Sequence, residues 1–358
     1  MACGSVLLAG SLTFSALAPA ARSATPGEAA TRPAAPREAV ARAADQAVGE
    51  QRAAASGGPA VPAEGSHVRN VVASKKEVEY LTAEWKGARY PDGRPKVSDG
   101  LLKRMRIMSV EQAWGALRER GYHNQFAGEW KTIHADRTVI GRALTAQYMP
   151  SSPDLEKRLT GDGHKAGHEG QMNTWPIALL RDGDVYVADG FGKVQDGTLI
   201  GGNLGEEIHS RTHTGVVFDG SLRDLEELDD IKGFNAFVRD WHPSYIQQMM
   251  LTGVNTHIRI GEAVVLPGDV VLAKREGIVF IPAHLVEDIV EEAEVTLLRD
   301  LFVKQRLREG TYTSGQVDKG WDEVDQAIKD DFRGWLQENK NDLPVPAERV
   351  QEIIDAAG

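Results

Sequence analysis

Residues 183–228 read GDVYVADGFGKVQDGTLIGGNLGEEIHSRTHTGVVFDGSLRDLEEL, and this stretch decides the fold. DVYVADG is rich in β-branched and aromatic residues and stops at a glycine, as a strand does. Gly201-Gly202-Asn203-Leu204-Gly205 leads into GEEIHSRT, which has helical composition, and GVVFDG returns to a strand. SLRDLEELDDI then turns out of that strand into another helix. Strand, glycine-rich turn, helix, strand and helix is the order of an α/β protein. The turn also carries chemistry, because backbone N–H groups at a helix start, approached closely where Cβ is missing, suit a carboxylate or phosphate. The same glycines could serve geometry alone, and neither they nor Gly190-Phe191-Gly192 complete a dinucleotide-binding fingerprint. Arg223 and Asp224, adjacent at a strand end, leave two readings open. They are a structural ion pair or helix cap, or they are a planar cation for an oxyanion beside a hard oxygen ligand for Mg²⁺.

Downstream, residues 256–266, 267–274 and 277–282 read as strands punctuated by Pro-Gly and Gly. A long amphipathic helix over 284–310 closes the domain. The acidic tail over 321–357 reads as helical, interrupted at Leu343-Pro344-Val345-Pro346. Upstream, SVEQAWGALRERG (109–121) predicts a helix capped by Ser109, with Ala113, Trp114 and Leu117 on one face and a stop at Gly121. TVIGRALTAQYM (138–149) predicts a strand broken by Gly141. Residues 151–174, polar and glycine-rich, predict a long loop, and IALL (177–180) a short strand. There is no internal repeat, and the even β-α-β spacing of a doubly wound sheet is missing.

The chain has 358 residues, 41% hydrophobic and 26% charged, enough for a sizeable core in one large domain or two ordinary ones. Forty-one Lys and Arg against 52 Asp and Glu give a net charge of −11, which argues against a nucleic-acid partner held by a broad basic surface. The single cysteine, Cys3, excludes a disulfide framework, a cysteine-ligated zinc site and thiol redox chemistry. Residues 1–24 resemble the apolar core of a secretory signal peptide, with cleavage options after Ala18 or Ala24 but no basic start. Export to the periplasm or medium is expected, with the cytoplasm the location if this segment is not a signal. Residues 25–70 are an Ala/Pro-rich linker expected to be disordered, 71–310 the main domain with an N-terminal arm, and 311–358 the acidic helical tail. No later apolar run approaches a membrane span.

Other constellations carry less. His164 with His168, and His209 with His213, have i, i+4 spacing but no evident third zinc ligand, and read as surface or loop histidines. Glu206 and Glu207 suit a helix start electrostatically. Asp189 is a turn former or a support to the site. Ser221 has no His–Asp pattern near it.

The run through 183–228, followed by PGDVVLAKREGIVFIP and preceded by GRALTAQ (141–147), resembles the RraA-like family from near Ser109 to near Glu294. That family includes 4-hydroxy-4-methyl-2-oxoglutarate aldolases and the inhibitor of ribonuclease E activity; some members carry a dimethylmenaquinone methyltransferase-like label. The methyltransferase label has no support here, because no glycine-rich S-adenosylmethionine loop follows a first strand. The resemblance implies a compact α/β/β/α sandwich like the swivelling phosphohistidine domain, with a helical C-terminal extension here. It implies homotrimers or homohexamers with sites between subunits. In the aldolase branch, Arg223 would contact the keto oxygen of a pyruvate unit and Asp224 would anchor a divalent metal, Mg²⁺ or Mn²⁺. Gly202, Asn203, Leu204 and Gly205 would offer backbone N–H groups to the substrate carboxylate. The chain departs from the pattern at Gly202 and at Lys274, where relatives tend to carry Asp. Glu291, Glu292 and Glu294 are candidates to reach a neighbour's metal-bound water. The expected function is a lyase cleaving 4-hydroxy-2-oxo acids to pyruvate, with oxaloacetate decarboxylation through the same enolate. The alternative is a non-catalytic oligomeric regulator like the ribonuclease E inhibitor.

Overall fold

The computed structural model describes residues 70–356. The expectations for the signal peptide, for Cys3 and for the linker up to residue 69 lie outside the described residues. Eleven strands are present among those described: β1 (Phe126–Ala127), β2 (Lys131–Thr132), β3 (Val139–Pro150), β4 (Asp184–Thr198), β5 (Val216–Leu222), β6 (Ala236–Trp241), β7 (Met249–Val254), β8 (Ile258–Ile260), β9 (Ala263–Val265), β10 (Val270–Lys274) and β11 (Gly277–Ile281). Among the helices from residue 110 onward are α1 (Val110–Glu119), α2 (Pro153–Lys165), α3 (Gly202–Thr212), α4 (Leu225–Asp230), α5 (Val286–Glu309), α6 (Gln326–Asn339) and α7 (Ala347–Ala356).

The main sheet runs β1-β11-β10-β3-β4-β5-β6-β2, with β7 added on β3 beyond the reach of β10. The pairs from β3 to β6 are parallel, and the flanking pairs are antiparallel. Alternation along the strands builds two cores. Tyr186, Ala188, Val216 and Phe218 face one way, continuous along the sheet with Val270, Leu272 and Val279, under α1, α3 and α5. Val185, Val187, Val217, Val271 and Phe280 face the other way, against the small hairpin β8–β9. This is the expected α/β class with a central sheet and helices.

Several expectations need correction. The segment 151–174 is not a loop, since α2 occupies residues 153–165 and a 3₁₀ turn residues 172–174. Pro153 opens the helix, Asp154 and Glu156 sit in its first turn, and His164 and Lys165 in its last, each at its favoured end. Gly163 is there for packing: a Cβ on it would lie 2.1 Å from the Trp175 ring. IALL is no strand but the end of a short helical turn, Trp175–Ala178, and its sequel. Gly141 does not break β3; the strand runs through, and the missing Cβ makes room for the Gly183 carbonyl. On α1 the capping box of Ser109 and Gln112 forms, but the buried face is Val110, Ala113 and Leu117. Trp114 is 40% exposed, with the Arg118 guanidinium over its ring. The tail helices α6 and α7 pack on the far half of α5 through Leu298, Phe302, Phe332, Trp335 and Ile354.

Candidate functional site

Two successive strand-to-helix turns build the site. β4 leads through Leu199, Ile200 and Gly201 into α3, and β5 leads through Arg223 and Asp224 into α4. Both turns lie past the carboxyl ends of parallel strands, where open α/β sheets bind ligands. Backbone bonds tie them together: Leu199 N–H donates to Ser221 O and Arg223 N–H to Ile200 O, each at 3.1 Å. The glycine-rich run is therefore not a loop ahead of a helix, because α3 already starts at Gly202.

Asp224 stands in the left-handed region, at φ 57° and ψ 46°, a conformation aspartate tolerates better than most residues. This turns its carboxylate back toward α3, where Oδ2 accepts the Gly202 N–H at 3.3 Å and lies 3.4 Å from Arg223 Nε. Arg223 and Asp224 are 40% and 35% exposed at their side chains, so both are reachable from solvent. The bare α-carbons matter here. A Cβ on Gly201 would fall 2.2 Å from Asp224 Oδ2, and one on Gly202 would fall 1.9 Å from Glu227 Oε2. Two carboxylates thus close on the first turn of α3.

These residues line a cavity of about 410 Å³ that also includes Asn203, Leu204, Asn173 and Tyr245. Of the residues expected at the site, Gly202, Asn203, Leu204, Arg223 and Asp224 come together. Gly205 does not join the lining. Its N–H donates to Gly201 O at 2.9 Å, and its α-carbon lies against Leu228.

Asn173 and Glu227 escaped the sequence reading. Asn173 is buried, its Nδ2 donates to Leu199 O at 2.7 Å, and its Oδ1, directed away from that carbonyl, has no partner. The signal for Glu227 was the glycine at 202. Glycine at 202 leaves the space that Glu227 fills from α4.

Other candidates are accounted for within the chain. Glu294 is buried between Arg104, at 2.8 Å, and Arg349, at 3.2 Å. Glu292 pairs with Arg120 and Glu291 with Arg349, so the three candidate glutamates of α5 are held by arginines of this chain. Lys274 donates to Met108 O at 2.6 Å, and partial burial lowers its pKa. Asp189 accepts the Phe191 N–H, and burial raises its pKa. Ser221 donates to Val194 O. His164 and His168 pack on Trp175, while His209 contacts Thr214 O and His213 contacts Asp182. Among the described residues no three His, Cys, Asp or Glu side chains converge as a metal cage, and no helix is long and apolar enough to cross a membrane.

Comparison with known proteins gives three results. A profile of the RraA-like family, described as Aldolase/RraA, matches residues 95–280. An uncharacterised protein of Methanocaldococcus jannaschii is 27% identical over 96 residues, which are 27% of this chain and 46% of that protein, so the match spans about half of its length. An uncharacterised protein from Pseudomonas syringae pv. tomato shares the fold, with a TM-score of 0.52 at 19% identity over 65% of this chain and 99% of that one. RraAS2 of Streptomyces coelicolor, described as an unusual member of the RNase ES inhibitor RraA protein family, superposes at a TM-score of 0.49 with 21% identity, covering 60% of this chain and 98% of its own.

Proposed function

The chain belongs to the RraA-like family, and we propose that it is a divalent-metal-dependent lyase that cleaves 4-hydroxy-2-oxo acids to pyruvate and decarboxylates oxaloacetate. One observation carries this reading: Arg223, Asp224 and the first turn of α3 face a single cavity of about 410 Å³. A pure protein-binding surface has no use for a guanidinium, a carboxylate and helix N–H groups converging on one small cleft.

The donor set suits Mg²⁺ or Mn²⁺. Magnesium is usually held by one or two carboxylates, with water and substrate oxygens completing the shell, and Asp224 with Glu227 offers that number. When bound, the cation supplies Lewis-acid polarisation of the keto oxygen. The Asn203 and Leu204 N–H groups in the first turn of α3, which have no intrahelical partners, take the substrate carboxylate, the Gly202 N–H being held by Asp224. Arg223 holds the keto oxygen and stabilises the charge that develops there as the bond beta to the ketone breaks. Glu227 occupies the space an aspartate side chain at 202 would need, and in this reading it handles the proton. Assembly as a homotrimer or homohexamer belongs to the same proposal and is read by sedimentation of the full chain.

The experiment is pyruvate release from a panel of 4-hydroxy-2-oxo acids and from oxaloacetate, with Mg²⁺, with Mn²⁺ and with EDTA. Metal-dependent release supports the lyase. A folded protein that releases no pyruvate from any of them refutes it and leaves the regulator.

A further inference from the structure

The helices of the C-terminal extension enclose a second cavity, of about 630 Å³, larger than the one at Arg223. It lies between α5, the 3₁₀ turn Trp321–Glu323, α6 and α7, and all but Val295 and Arg299 of its lining comes from residues after 320. The family match ends at residue 280, so this cavity is outside the family domain.

Its charge is unusual for a chain with a net charge of −11. Four cations, Arg299, Lys329, Arg333 and Arg349, line it against two carboxylates, Asp322 and Glu352. Two of the cations are engaged. Arg349 pairs with Glu291, Glu294 and Glu352, and Lys329 donates to Asp322 O at 3.1 Å. Arg299 and Arg333 make no hydrogen bond or ion pair among the described residues, and the Nε of each is buried without a partner. Arg299 lies 4.7 Å from the centre of the Trp321 ring, and burial lowers its pKa from the ordinary arginine value. Both side chains are only partly buried, and a guanidinium at a cavity wall with no acceptor in the protein is free to take an anion through its terminal nitrogens. Apart from Gln326, the rest of the wall is largely apolar, with Val295, Phe332 and Ile353 among its members.

We propose that this cavity binds a small organic phosphate, with its anionic head on Arg299 and Arg333 and its apolar body against Val295, Phe332 and Ile353. Two unpaired guanidiniums ask for a dianion, and a phosphate monoester brings nearly two charges and three strong acceptors to their planar forks. A volume of about 630 Å³ falls within the usual range for small-molecule sites. The proposal is independent of the lyase reading.

Phenyl phosphate and inorganic phosphate are the probes, measured on the full chain by calorimetric titration and by thermal melting. Phenyl phosphate should bind and raise the Tm, inorganic phosphate should bind more weakly, and Arg299→Met or Arg333→Met should each weaken phenyl phosphate by about tenfold or more. Arg223→Ala should leave that binding unchanged, which separates this cavity from the one at β5. Without ligand, each Met variant should melt at the wild-type temperature or above, because an unsatisfied charge has been replaced by an apolar side chain. The proposal is overturned if wild type binds neither probe, if the Met variants bind as wild type does, if Arg223→Ala abolishes binding, or if both Met variants melt well below wild type without ligand. The last result would make the arginines structural.

Discussion

Asp269 makes the stability of this fold depend on pH in a direction opposite to that of most carboxylates. It ends the Pro-Gly-Asp turn before β10, is fully buried, and accepts N–H bonds from Leu266, at 2.8 Å, and from Ala283. Burial outweighs those two bonds and pushes its pKa from 3.8 up to about 7. The folded state therefore keeps the proton to higher pH than the unfolded chain does. Between those values the unfolded state binds fewer protons, so stability falls as pH rises. The contribution is fully present below the unfolded value and is lost as pH rises to the folded one. At about 1.4 kcal/mol per pKa unit the whole effect is about 4 kcal/mol, of which about 2–3 kcal/mol falls between pH 5 and pH 8. Asp269→Asn retains an acceptor for Leu266 and cannot ionise. Urea unfolding of both proteins at pH 5 and pH 8 isolates the effect, since every other titrating group is shared. Wild type should lose that margin relative to Asp269→Asn on going to pH 8. A difference between the two proteins that stays constant within about 0.5 kcal/mol would refute the reasoning.

Three further outcomes are expected. Arg223→Ala, and Arg223→Lys nearly as much, should lower lyase turnover by about 10²–10³-fold without rescue by metal, whereas Asp224→Asn should recover part of its rate in excess Mg²⁺ or Mn²⁺; a metal titration of folded variants checks both. Asn173→Ala should lower unfolding stability by about 1–2 kcal/mol, because it removes the buried bond from Nδ2 to Leu199 O at the turn into α3; an unchanged urea midpoint would count against that contact. Gly163→Ala should lower unfolding stability by about 1–3 kcal/mol, because its methyl would meet the Trp175 ring at 2.1–2.4 Å, and urea midpoints measure it.

The order of elements from 183 to 228 was legible because alternation of β-branched residues is a local signal, but the strand ends were not: β4 runs through Gly190 to Thr198 and β5 through Gly220 to Leu222. α2 was not legible because one of its glycines, Gly163, is explained by a contact twelve residues further on, where Trp175 lies against it. Four apolar residues in a row, as in IALL, fit a buried helical turn as well as a strand, and only packing decides between them. The same limit governs the site. Arg223 and Asp224 could be found because they are adjacent and follow a strand, whereas Asn173 gains its meaning from a carbonyl 26 residues away. Glu227 gains its place from Gly202, 25 residues earlier, whose missing Cβ leaves room for its carboxylate. The glutamates of α5 are the converse case: in sequence they are unpaired acids, and the partners that occupy them come from residues 104, 120 and 349. A carboxylate is free or engaged only relative to the cations that the fold brings to it. Among the described residues the cation paired with Asp224 is its neighbour Arg223, at 3.4 Å, and both face the cavity at the end of the sheet that Glu227 also lines.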